Sequence, residues 1–273
     1  MFFDCAFKAL HRVRSFLPIA TVLICVFAAM YPATGVGQIV CEGSYGGHLQ
    51  GFASDGDHIY WSFTVDLVKT DMDGRVESHI PVETHHGDCT VYDGRLYVAV
   101  NHGAFNEEPG KADSWIYVYD TATLGFLQRT KTPEAVHGAG GMAYHDGRFI
   151  VVGGLPVGYT ENYLYEYTTD LTFVKRYVLE SGFTTMGIQT ACYGNGYWWF
   201  GCYGSPKNSA LLQADENLNL TGQFDTQTSV GFEKLPDGMY LQGVTTKNTE
   251  GAWTGTANYM QFDPQAKGRF IRK

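Results

Sequence analysis

The sequence predicts an all-β fold, a single five-bladed β-propeller built from four-stranded antiparallel blades. Three observations lead there. The chain holds 33 glycines and 15% aromatic residues, and it lacks long amphipathic helical periods. Its apolar runs are short, β-rich and bounded by Gly, Asp and Asn. One unit recurs five times: an apolar strand, a glycine turn and an aromatic-rich returning strand.

The first 35 residues stand apart from these repeats. Lys8, Arg12 and Arg14 precede an apolar run from Leu17 to Met30, and the small residues of Ala33-Thr34-Gly35 follow. That order is the pattern of an export signal, and the apolar run is short for a membrane span of roughly 20 residues. The reading assigns 1–35 to a signal peptide and 36–273 to one propeller. It expects a secreted or periplasmic product with no stable membrane insertion after cleavage. The segment holds three of the 19 basic and one of the 28 acidic residues, so 16 and 27 remain, a net charge of −11. Such a surface repels phosphate, which argues against nucleic acid as a partner. Cys41, Cys89, Cys192 and Cys202 remain beyond the segment. They allow three disulfide pairings or a set of buried free thiols, and no zinc-ligand spacing is present.

The repeats follow in order. Blade one opens at His48 and turns at Gly56, blade two runs from His86 to Gly94, and blade three from His137 to Gly147. Blade four runs from Ile188 to Gly196 and blade five from Val230 to Gly238. Asp-Gly and Asn-Gly suit these corners because glycine takes positive φ without a Cβ clash. Third strands follow, clearest from Ile116 to Leu124 and from Leu164 to Leu171, and then outer strands such as Val76–Val82 and Phe173–Leu179. Blade five lacks an obvious fourth strand, so Gln38-Ile39-Val40 is expected to supply it and latch the ring. Trp61, Trp198 and Trp199 are expected to pack within the blades.

The first strand of each blade lines the axis, and residues that open it share a rim with those that close the second strand. His48, His86 and His137 all open first strands, with Gln189 at the comparable place in blade four. Neutral imidazole is a common ligand of divalent transition metals, so these four residues are expected to hold a divalent metal ion. The bland alternative is a metal-free polar pocket made by the same side chains. Extra glycines after His137 suggest a bulge there. Asp88, two residues after His86 in the channel strand, is the expected general base or metal-orienting carboxylate. Gln50, Asn101, His102, Gln189, Tyr203 and Glu233 are the expected contacts of a small polar or saccharide-like ligand. His85 is expected to point away from the axis, because adjacent strand residues face opposite sides.

A family resemblance rests on short segments. His48-Leu-Gln-Gly-Phe and Ile59-Tyr-Trp-Ser resemble the Phe-Thr-Gln-Gly-Leu and Leu-Tyr-Glu-Ser segments of the plant and bacterial type of glutaminyl-peptide cyclotransferase. His86-Gly-Asp88-Cys is similar to that family's Phe-Gly-Glu-Gly, and the run from Ile116 to Leu124 resembles its Val-Tyr-Asp-x-x-Thr-Leu strand. The resemblance spans blades one to three and implies a secreted five-bladed propeller. Here two aromatic positions are His, and the family's Glu is Asp88. Three functions follow as expectations: a ligand-binding propeller acting as a metal-assisted hydrolase or lyase on a saccharide-like compound, a non-catalytic protein or glycan interaction module, and a cyclotransferase-like aminoacyltransferase.

Overall fold

The protein is described here from a computed structural model covering residues 37–204, 211–263 and 269–273. The expected signal segment lies outside the described residues. The chain starts with β1 (Gln38–Val40) and then lays down four-stranded antiparallel sheets in sequence order. Blade one is β2 (Leu49–Ser54), β3 (His58–Phe63), β4 (Asp66–Asp71) and β5 (Val76–Pro81). Blade two is β6 (His86–Tyr92), β7 (Arg95–Asn101), β8 (Ser114–Asp120) and β9 (Phe126–Lys131). Blade three is β10 (Ala139–His145), β11 (Arg148–Gly153), β12 (Asn162–Thr168) and β13 (Phe173–Leu179). Blade four is β14 (Thr185–Gly194), β15 (Tyr197–Tyr203), β16 (Leu211–Ala214) and β17 (Leu220–Phe224).

Blade five is β18 (Phe232–Lys234), β19 (Tyr240–Lys247) and the long β20 (Trp253–Asp263). Its outer edge is shared by both ends of the described chain. β1 pairs with β20 through Gln38↔Asn258, Ile39↔Ala257 and Val40↔Thr256, as the latch expectation required. β21 (Arg269–Arg272) continues along the same edge, from Met260↔Arg272 to Asp263↔Arg269.

Two turns in each blade explain why the chain folds back where it does. Asp93-Gly94, Asp146-Gly147 and Asn195-Gly196 each place both central residues at positive φ, the geometry of a type I′ hairpin. The turn from third to fourth strand uses a different device. Leu124, Leu171 and Leu218 sit at φ 56, 63 and 66 and are almost fully buried, with Gly74 at the same place in blade one. Left-handed backbone costs a leucine roughly 1–2 kcal/mol, and burying its side chain returns about 1.5–3 kcal/mol. The strain is therefore offset by the core that each leucine enters.

Among the described residues the apolar core divides into five clusters, one at each seam between neighbouring blades. Trp61, Trp198 and Trp199 are fully buried in these seams. The four cysteines occupy four different seams: Cys41 between blades five and one, Cys89 between one and two, Cys202 between three and four, and Cys192 between four and five. All four are free and buried, so the thiol alternative holds over any disulfide pairing. Burial pushes the Cys202 thiol up to about 12.

The seam leucines yield a test. Leu171→Ala is expected to destabilise the protein by about 2–5 kcal/mol in urea unfolding, as a core truncation does. Gly94→Ala, at φ 68 with open space around it, is expected to cost only about 1–2 kcal/mol.

Candidate functional site

The innermost strands of blades one to four each carry a bulge near the same rim. Gln50 is the extra residue in β2, between Leu49↔Phe63 and Gly51↔Ser62. Gly87 and Asp88 face Ala99 alone in β6, and Gly140 is the extra residue in β10. β14 slips twice, at Met186-Gly187 and at Gln189. A bulge re-aims the side chains on either side of it. These four determine which residues reach the axis.

The result is a cavity of about 230 Å³ at the rim, whose walls include His48, Gln50, His85, Asn101, Gln189 and Tyr203. Five of those residues were expected there from the sequence. His85 was expected to point away, yet it lines the cavity with its ring centroid 6.4 Å from that of His48. Simple strand alternation does not hold for a residue that precedes its strand and its bulge.

Hydrogen bonds decide which polar atoms are available. The His48 Nδ1–H donates to Leu49 O at 2.9 Å, and its Nε2 accepts from Gln50 Nε2 at 3.1 Å. The other Gln50 amide hydrogen goes to Thr64 Oγ1 at 3.0 Å. Gln189 donates to Met186 O at 2.6 Å. Both glutamines are thus anchored through their amide nitrogens, Gln50 by both N–H groups and Gln189 by one. Asn101 is fully used: it donates to Gly103 O at 2.9 Å and accepts from Asp113 N–H at 3.0 Å, closing the 101–113 loop. The His85 ring and the Tyr203 hydroxyl make no hydrogen bond to any described residue. Burial, reinforced by the nearby His48 ring, holds His85 below its ordinary pKa, so its imidazole is neutral at pH 7. No Asp, Glu, Lys or Arg lines this cavity among the described residues.

The remaining expected site residues lie elsewhere. His86 is buried in the seam of blades one and two, where Nδ1–H donates to Glu83 O at 2.6 Å and Nε2 accepts from Tyr119 Oη at 2.8 Å. Burial drives its pKa down to about 4. The bulge after His86 turns it off the axis and uses both ring nitrogens. His137 is also buried, donating to Glu107 O at 2.8 Å, with the rings of Tyr159 and Tyr163 against it. His102 lies in a shallow outer cleft with Glu83, Trp115 and Arg129, its nitrogens on Thr84 O and Tyr117 Oη. The three first-strand imidazoles do not converge. Among the described residues no three His, Cys, Asp or Glu side chains come together as a metal-holding group.

Asp88 does reach the axis, one layer below the cavity floor. It is 1% exposed, and Oδ2 accepts the Ala191 N–H at 3.0 Å across from blade four. Oδ1 has no hydrogen-bond partner. A Cβ on Gly51 would lie 1.9 Å from that oxygen, and one on Gly141 would lie 3.0 Å from the Asp88 Cβ. The Asp88 carboxyl thus occupies the space a side chain at Gly51 would need, and the Gln189 carbonyl crowds Gly141 more closely than Asp88 does. Burial, with a smaller contribution from Glu233, raises the Asp88 pKa well above its ordinary value. Glu233 is half-buried further along the axis, beside the Ser54 backbone near the opposite rim, and desolvation there raises it to about 8. It therefore does not line the rim cavity, contrary to the sequence expectation.

No family model matches the chain, and no curated protein does. Among solved structures it is similar to the crystal structure of Myxococcus xanthus glutaminyl cyclase, with a TM-score of 0.57 and 12% identity over 86% of this chain and 95% of that one. The likeness is one of fold, and it agrees with the family resemblance of the blade segments. Among the described residues no helix is long and apolar enough to cross a membrane.

The buried carboxyls set a pH dependence. Each holds a proton in the folded state that the unfolded chain releases, so their contribution is complete below the unfolded pKa and is lost as pH rises. For Glu233 the window runs from about 4.5 to about 8. Chemical denaturation at several pH values is expected to show stability falling across that window. Glu233→Gln and Asp88→Asn are each expected to flatten the fall and to be more stable than the parent at pH 8.

Proposed function

We propose that this propeller is an extracytoplasmic binding protein whose rim cavity takes an uncharged, hydroxyl- or amide-bearing unit such as a monosaccharide. The observation that carries the reading is the wall chemistry. Two anchored amides, two imidazoles and a phenol line about 230 Å³, with no Asp, Glu, Lys or Arg among the described lining residues. Such a wall rewards a ligand with several donors and acceptors and gives a charged ligand no counter-ion. The volume fits a single sugar or amino-acid unit. The basic, apolar and small-residue order of 1–35 supports export. N-terminal sequencing of protein recovered outside the cytoplasm is expected to start near residue 36.

Calorimetry against neutral monosaccharide glycosides is expected to detect binding that Gln189→Leu and His85→Ala each weaken roughly 5- to 100-fold, the effect of one lost buried hydrogen bond of about 1–3 kcal/mol. Affinity is expected to hold from pH 8 to 7 and to decline in acid as His85 takes up a proton. Equal affinity in both variants would place the ligand elsewhere.

A second reading, cyclotransferase-like aminoacyl transfer, is favoured by one observation. Asp88 stands where the resembling family has Glu, its pKa raised by burial and its Oδ1 without a hydrogen-bond partner. The shorter side chain keeps the carboxyl under the floor. Incubation with an N-terminal glutaminyl peptide tests this reading: ammonia release that Asp88→Asn abolishes would support it.

A further inference from the structure

The mouth of the cavity is asymmetric. On the side of blades five and one stand His48, His85 and Trp253, whose ring centroid is 5.6 Å from that of His48. On the side of blades three and four the mouth is apolar. Phe105 lies half-buried over the glycines that open blade three, where a Cβ on Gly138 would meet its ring at 2.3 Å. Beside it is Met186, which both lines the cavity and is 45% exposed. Three residues earlier on the same segment Phe183 is 41% exposed.

Met186 is the unusual member. It adopts φ 61, and Gly187 after it adopts φ 77, closing a turn in which the Gly187 N–H donates to Thr184 O at 3.2 Å. A Cβ on Gly187 would lie 2.2 Å from Gly153 O, so only glycine fits that second position. The first position has no such limit. Asn or Gly would hold its backbone at less cost than Met. Unlike Leu124, Leu171 and Leu218, whose burial offsets the same strain, Met186 spends it on an apolar side chain held out at the mouth. Its own carbonyl is the group that orients Gln189. The turn thus fixes a polar contact inside the cavity and an apolar contact just outside it.

We propose that the ligand is an amphiphile: an uncharged polar head seated among Gln50, His85, Gln189 and Tyr203, joined to an apolar group that leaves the cavity over Phe105, Met186 and Phe183. This rests on the reading of the rim cavity as a neutral polar site. The cavity accommodates one sugar-sized unit, so anything attached to that unit emerges at the mouth. Among the residues that line the cavity, Phe105 and Met186 are the large apolar ones. Met is suited to such a lip because its flexible thioether adapts to varied apolar partners.

The test compares methyl β-glucoside with octyl β-glucoside below its micelle concentration, by calorimetry on the purified protein. The octyl compound is expected to bind at least about tenfold tighter, since each buried methylene contributes about 0.8 kcal/mol. Met186→Asn keeps the left-handed turn and removes the apolar side chain. Together with Phe183→Ser it is expected to bring the two affinities together, and Phe183→Ser alone, outside the cavity walls, is expected to narrow the gap while leaving methyl glucoside binding unchanged. Equal affinities in the parent protein would overturn the apolar exit and leave the polar cavity standing. Octyl glucoside binding that survives Gln189→Leu unweakened would place the alkyl chain elsewhere and also overturn it. Binding of neither compound would remove the polar-head reading, and the amphiphile with it.

Discussion

Five strands crowding one axis is the constraint from which the rest of this molecule follows. A Cβ on Gly87 would lie 2.2 Å from Gly140 O, and one on Gly141 would lie 2.4 Å from Gln189 O. Backbones of adjacent blades are thus nearly in contact near the rim, where a regular ladder with ordinary side chains has no room. The chain relieves the crowding with glycines and with bulges in four of its inner strands. Those bulges widen the rim into a cavity and choose which side chains line it. The same crowding encloses Asp88 so closely that its carboxyl fills the space of the missing Gly51 Cβ.

Much of this was legible in the sequence, and what was legible was local. Asp93-Gly94, Asp146-Gly147 and Asn195-Gly196 announce their hairpins because positive φ is a property of the residues themselves. The latch by Gln38–Val40 followed from counting strands. Gln50, Asn101, Gln189 and Tyr203 come together at one cavity because repeat position fixes the rim. His86 and His137 do not join them, because a bulge beside each sends the ring into protein, and only the glycines after His137 hinted at one. Glu233 was misplaced by depth along the axis, which repeat alignment does not encode in a blade whose inner strand is only Phe232–Lys234. The left-handed leucines were invisible, since leucine carries no signature of positive φ and its strain is repaid only by a core that exists after folding.

The division of polar labour around the cavity also has a physical logic. Asn101 braces a loop, His48 is held between a carbonyl and an amide, and the two glutamines are anchored by their nitrogens. Preorganised acceptors of this kind lose little freedom when a ligand arrives, and this favours affinity over adaptability. The axial carboxyl nearest the site lies below its floor.

The shared outer edge of blade five has a consequence for topology. β1 and β21 lie in line along β20, and the Arg272 guanidinium reaches both Gln38 Oε1 at 3.3 Å and Asn258 Oδ1 at 2.8 Å. Residues 38 and 272 are therefore within a side chain's length of each other. A short peptide linker would join them into a covalent circle without moving a strand. Such a ring could be cut open at any exposed hairpin and would still close, so the order in which the blades are encoded is a matter of history and not of stability.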